Sequence, residues 1–257
     1  MYYFTNDYSE GAHPLIMQKL LETNMEQTDV YGSDQYCANA KALIKTACGR
    51  EDADVHLFIG GTQTNFTIIS AALRPFQGVY SSFLGHINTH EAGAIEHTGH
   101  KVLELPTADG KLTAQQVEEN YLIYLNDPKR EHWVQPKMVY ISHPSEVGTL
   151  YTKKELEELS ATCKKYGLYL FLDGARLGYG LMSPSTDLTL KDIARLCDVF
   201  YIGGTKCGAL FGEAAVILNP DLKPDFHTIM KQSGAVLAKG RLLGLQFQTL
   251  FTDNLYE

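Results

Sequence analysis

The sequence predicts an α/β fold: a seven-stranded, mostly parallel sheet with helices on both faces. Three observations carry this. Short apolar runs recur along the chain and alternate with segments of helical period. Runs such as Val199–Ile202 are apolar at every position, as strands covered on two faces must be. No internal repeat or low-complexity linker interrupts the alternation.

In chain order, Tyr2 to Pro14 is irregular and dense in turn-forming residues. Leu15 to Glu22 has a short helical pattern, followed by the loop TDVYGSD at Thr28 to Asp34. Apolar residues at Tyr36, Ala40, Leu43, Ile44 and Ala47 predict a helix closed by Gly49 as C-cap. Strands are predicted at Val55–Ile59, Val79–Phe83 and Val102–Leu105, with helices at Asn65–Leu73 and Thr89–His97 between them. Thr113 caps a helix through Leu125, and Asn126 to Pro136 is a polar surface loop. A strand at Met138–Ser142 leads to a helix opened by Thr152, with Glu155 at the capping-box spacing. Strands at Leu168–Leu172, Val199–Ile202 and Ala214–Leu218 follow, and Gly234–Phe251 is the last helix.

With 257 residues, 44% of them hydrophobic, the chain can bury one large core, and a second full domain is not expected. A formal net charge of −8 without a basic cluster argues against nucleic acid or an anionic membrane as partner. No stretch approaches eighteen apolar residues, and MYYFTNDY lacks the pattern of a signal peptide, so a cytoplasmic protein is expected. The five cysteines form no CxxC pair, which fits reduced thiols better than a disulfide framework or a zinc ribbon.

Two strands carry chemistry. LYLFLDGAR, Leu168 to Arg176, delivers Asp173 at its carboxyl end, and VFYIGGTK, Val199 to Lys206, delivers Lys206 just past a glycine pair. Ligands of open α/β sheets gather outside the carboxyl ends of the strands, so both side chains can face one crevice. A lysine among small neighbours beside an apolar strand can lose its proton and attack a carbonyl, although a solvated loop lysine is the plainer reading. Together, the pair is the arrangement pyridoxal 5'-phosphate needs: the lysine for its aldehyde, the carboxylate for its pyridine nitrogen. GGTQTN, Gly60 to Asn65, joins a strand to a helix, where glycine backbone and a helix N-terminus suit an anion. Arg176 is either a surface arginine or a planar fork for an amino-acid carboxylate. The run Gly85 to His100 holds four histidines, and His86 with His90 share a helical spacing. Without HExxH this is a weak zinc signal, and no metal site is assigned.

LDGAR and YIGGTKCGALFGEA resemble segments of the low-specificity threonine aldolases, in the β-eliminating lyase group of fold type I pyridoxal-phosphate enzymes. The likeness runs from FTNDYSEGAHP at Phe4 to KGRLLGLQF at Lys239. It implies an aminotransferase-like large domain with Lys206 bonded to the cofactor, Asp173 on the pyridine nitrogen, and Gly61, Thr62 and Gln63 around the phosphate. Thr205 is an extra donor on this reading. The resemblance further implies that His86 stacks on the ring and lies near the reacting bonds, and that Arg176 grips the substrate carboxylate with help from Asn6. Asn6 stands where a serine is the expected residue. Tyr31 and Gly32 resemble the loop that reaches the partner subunit's active site, which implies a homodimer or homotetramer.

The activity implied is retro-aldol cleavage of L-threonine or L-allo-threonine, β-hydroxy amino acids, to glycine and an aldehyde, with His86 the candidate base for the hydroxyl proton. The domain division expected is an N-terminal segment over 1–35, a cofactor-binding large domain over 36–233, and a helix over 234–257 leading toward a small C-terminal domain. Family members continue into that domain, with a further substrate arginine, whereas this sequence stops at LFTDNLYE. A catalytically impaired, truncated homologue is therefore one alternative expectation. Another fold type I reaction, β-elimination or transamination, is a second, and a metal-dependent hydrolase built on the histidines is a third.

Overall fold

In the computed structural model, which describes residues 3–256, Val199–Gly203 lies buried at every position within one seven-stranded sheet. In chain order the strands are β1 (Asp54–Phe58), β2 (Gln77–Ser82), β3 (Lys101–Leu105), β4 (Gln135–Ser142), β5 (Tyr169–Asp173), β6 (Val199–Gly203) and β7 (Glu213–Ile217). Their spatial order is β1-β7-β6-β5-β4-β2-β3. β7 runs antiparallel to both its neighbours, and every other pairing is parallel. The mostly parallel sheet expected from the sequence is therefore found. Met1, Tyr2 and Glu257, which fall within the expected end segments, lie outside the described residues.

The helices are α1 (Pro14–Glu22), α2 (Gln35–Cys48), α3 (Gly61–Ala72), α4 (His86–Thr89), α5 (Ala94–His97), α6 (Ala114–Asn126), α7 (Lys153–Tyr166), α8 (Leu177–Leu181), α9 (Leu190–Leu196), α10 (Phe226–Gln232) and α11 (Arg241–Leu250). None of them is long and apolar enough to cross a membrane. Local chemistry sets several ends. Gly49 and Gly167 take the left-handed conformation after α2 and α7, and Thr152 with Glu155 closes a reciprocal capping box on α7.

Strand alternation sorts the core into two layers. Leu170, Leu172, Phe200, Ile202, Ala214 and Val216 pack with α2, α7, α9 and α11. Phe171, Val199, Tyr201, Ala215 and Ile217 pack with α3, α5 and α10 on the other face. By the same alternation Asp173, two residues after Phe171, and Glu213, two before Ala215, face the α3 side at the sheet's edge.

Three expected helices are corrected. The helix over Thr89–His97 is two single turns, α4 and α5, because Ala92 and Gly93 adopt left-handed backbone angles of 51° and 74° between them. The helix over Asn65–Leu73 begins earlier, at Gly61, so the glycine-rich turn is itself its first turn. The last helix starts at Arg241 rather than Gly234, whose φ of 70° follows the separate helix α10. α11 then packs Leu243 and Phe247 into the core layer that contains α2.

Candidate active site

β5 and β6 end side by side because glycine permits it. A Cβ on Gly174 would overlap the carbonyl oxygen of Tyr201, and one on Gly203 would overlap that of Ala175. With neither present, the Gly203 N–H donates to the Gly174 carbonyl at 2.9 Å. This close approach puts Asp173 and the turn carrying Lys206 on one cleft of about 340 Å³. Gly60, Gly61, Thr62, His86, Arg176 and Thr205 also line it.

Asp173 is buried, yet both carboxylate oxygens are satisfied. Oδ1 accepts from the Tyr201 hydroxyl at 2.5 Å and the Ala175 N–H at 3.0 Å; Oδ2 accepts from the Tyr140 hydroxyl at 2.5 Å and Asn65 Nδ2 at 3.0 Å. Burial first, and then the Asp173 charge, push both phenols far above their ordinary pKa, so both remain protonated donors. Four donors surround the carboxylate in a place where an unpaired buried charge would be costly.

Asn65 continues the network. Its Nδ2 also donates to Oε1 of Glu91 at 2.7 Å, and the same oxygen lies 2.7 Å from His86 Nδ1. The Glu91 side chain is fully buried. A carboxylate only accepts, so the neutral imidazole carries its proton on Nδ1 and leaves Nε2 as the free lone pair. The Glu91 hydrogen bond raises the His86 pKa against burial, with the Asp173 and Glu91 charges adding to it and Lys206 opposing. Glu146 approaches the same turn, accepting from the His86 N–H at 2.8 Å and the Ser142 hydroxyl at 2.6 Å through Oε1. His90 stacks on His86, their centroids 5.6 Å apart.

Arg176 is engaged from the side. Its Nε and Nη2 both donate to Asp7, the Nη2 bond at 3.1 Å, and Nη1 takes no part in that grip. Burial raises the Asp7 pKa, but the hydrogen bond and charge of Arg176 outweigh it and hold the carboxyl below its usual value. Lys206 Nζ sits 5.6 Å from the centroid of the Tyr8 ring, which also lines the cleft.

The N-terminus of α3 has the form of an anion site. Gly60 is its N-cap and offers no side chain, so the first N–H groups of the helix are left without a capping oxygen. A Cβ on Gly61 would lie 3.1 Å from the Tyr201 hydroxyl, so the bare backbone keeps that approach open. Among the other expected anion ligands, Gln63 turns its side chain away and donates to the Ser233 carbonyl at 3.3 Å. The Thr205 hydroxyl accepts from the Gly212 N–H at 2.9 Å, bracing the lysine turn.

Two expected residues lie apart from these groups. Asn6 is exposed and accepts from the Tyr8 N–H and the Ser9 hydroxyl, while its neighbour Tyr8 lines the cleft and Asp7 pairs with Arg176. Tyr31 lines a different groove with Lys41 and His56, its ring 4.3 Å from Lys231 Nζ. Sequence reasoning missed Asp7, Asn65, Glu91, Tyr140, Glu146 and Glu213. Asn65, Glu91 and Glu146 had a signal: Asn65 ends the singled-out GGTQTN turn, Glu91 is one of two glutamates in the histidine run, and Glu146 is the acid that follows the Met138–Ser142 strand.

The profile of the beta-eliminating lyase family matches residues 7–244. The low-specificity L-threonine aldolase of Pseudomonas aeruginosa is 33% identical over 98% of this chain and 72% of its own length. The solved structure of Leishmania major threonine aldolase matches all of this chain and 74% of that one, at 55% identity and a TM-score of 0.96. Aspartate aminotransferase from Thermus thermophilus, at 14% identity and a TM-score of 0.73, covers 96% of this chain and 64% of its own and shares the fold. The chain belongs to the beta-eliminating lyase family.

Proposed function

We propose that the chain is a pyridoxal-phosphate-dependent aldehyde-lyase that cleaves L-threonine, L-allo-threonine and related β-hydroxy amino acids to glycine and an aldehyde. The observation that carries this is the convergence of Asp173, Lys206 and His86 on one cleft with the uncapped N-terminus of α3. That donor set fits the cofactor: an amine for its aldehyde, a four-fold-anchored carboxylate for its ring nitrogen, and free backbone N–H groups for its phosphate. When bound, the cofactor supplies an electron sink for the pair left on Cα as the Cα–Cβ bond breaks.

The chain's own groups do the rest. Lys206 holds the cofactor, and Asp173 keeps the proton on the ring nitrogen through its charge. Gly61 and Thr62 bind the phosphate, with Gln63 contributing backbone rather than side chain. Arg176 offers Nη1 and the outer Nη2 hydrogen to the substrate carboxylate while Asp7 fixes its plane. His86 Nε2 takes the β-hydroxyl proton, and Glu91 stabilises the imidazolium that forms. Within this reading, residues 1–35, 36–233 and 234–257 are the three parts of a cytoplasmic homodimer or homotetramer, and Tyr31 serves the partner's cleft. The free cysteines, four of them buried, are consistent with a reducing compartment.

Product analysis tests the reaction independently of its rate. The chain loaded with pyridoxal phosphate should convert L-threonine to glycine and acetaldehyde in equal amounts. Ammonia with a 2-oxo acid, or no glycine from any β-hydroxy amino acid, would overturn it.

A further inference from the structure

Glu213 is a buried carboxyl for which the proposed reaction has no use. It opens β7, the one antiparallel strand, and so lies at the edge where its neighbours end. Its Cα pairs with Phe58 at the end of β1, just before Gly60–Thr62, and with Gly203 at the end of β6, just before Thr205–Lys206. The side chain, 4% exposed, lines the cleft between these two turns. Oε2 accepts from the Gly204 N–H at 3.2 Å, and the Thr205 side chain is a second hydrogen-bond donor to the carboxyl. An acid lining the same cleft as an anion site is a contradiction if it is ionised, because it would repel the ligand that α3 attracts. As the neutral acid it becomes one more donor.

We propose that Glu213 is a proton-carrying member of the anion site: its neutral carboxyl donates a hydrogen bond to the phosphate ester at the α3 N-terminus, and its ionisation weakens that ester's binding. This rests on the reading of α3 as the phosphate site and adds a proton to it. The proton stays on the carboxyl and no covalent bond changes. Burial pushes the Glu213 pKa up to about 8, and the hydrogen bonds from the Thr205 side chain and the Gly204 N–H only partly offset it. The groups facing it are Asp173 on β5, Tyr201 on β6, and Lys206, Cys207 and Tyr256 around the lysine turn. Asp173 disfavours its ionisation, and Lys206 alone of these favours it. A bound phosphate dianion adds a further opposing charge, so binding above pH 8 draws a proton from solvent.

The test uses the full chain freed of cofactor and pyridoxine 5'-phosphate as probe, which has no aldehyde for Lys206 to attack. Its dissociation constant is measured from pH 7 to 9.5 for the wild type and for Glu213→Gln, an uncharged isostere that still donates. The ratio of wild-type to variant constants should rise about thirtyfold over that range, the span expected for a group of pKa near 8 that must be neutral. A ratio constant within twofold overturns the role of Glu213. Failure of the wild type to bind the probe at pH 7 overturns the phosphate site itself, and the proposal with it. If the variant does not fold, calorimetry of the wild type at pH 8.5 in buffers of different ionisation enthalpy decides. Uptake of most of a proton supports the proposal and no uptake contradicts it.

Discussion

Asp7 holds Arg176 side-on, through Nε and Nη2, so the guanidinium is already fixed at the wall of the cleft when a substrate arrives. Both side chains are more than one-third exposed, so the pair contributes little to stability and acts mainly to orient the fork. Arg176→Lys keeps the charge and loses the two-point grip; KM for threonine should rise ~10- to 100-fold, about 1.4 to 2.7 kcal/mol, with a smaller change in kcat. Asp7→Asn should raise KM less. Steady-state kinetics on reconstituted protein checks both.

The four donors on Asp173 predict a graded series. Asp173→Asn should retain the cofactor and lose roughly 10³-fold in kcat, about 4 kcal/mol, because charge on the ring is stabilised mainly in the transition state. Tyr201→Phe removes one donor of four and should cost on the order of tenfold. Near-normal turnover in Asp173→Asn would contradict the assignment.

Histidine 86 sets a pH signature. Its folded pKa is raised, so the linked stability is full below the unfolded value near 6.5 and is lost as pH rises through the folded value. As the base it must be neutral, so kcat/KM should climb on an acid limb lying above about pH 6.5. Glu91→Gln removes the accepting charge and should move that limb down while lowering kcat. A limb that stays in place would show that Glu91 does not tune His86.

The strand-end glycines give a stability test. Gly203→Ala forces a Cβ onto the Ala175 carbonyl, backbone against backbone with no flexible atom to yield. The loss should reach about 3 kcal/mol or more, read as a lowered denaturation midpoint with an unchanged slope. Gly11→Ala, where nothing lies within 4 Å, is the control and should be neutral.

What could be read in the sequence was local. Asp173 and Lys206 stand at the ends of apolar runs, so strand placement alone puts them at one edge of a parallel sheet, and Thr152 with Glu155 announces its helix. What could not be read depended on order in space. Glu213 reaches the cleft only because β7 inserts between β1 and β6, a pairing that no periodicity encodes. Asp7 meets Arg176 across 169 residues of chain. The break in Thr89–His97 turns on a left-handed alanine, Ala92, in a residue type that ordinarily extends a helix.

The central claim is that Lys206 is the residue that holds pyridoxal phosphate. Borohydride reduction of the loaded chain, followed by peptide mass mapping, tests it most directly. The account predicts the pyridoxyl mass on the peptide containing Lys206, and loss of both that mass and the visible absorption band in Lys206→Ala. A reducible band that survives in Lys206→Ala, or the label on another lysine, would contradict it.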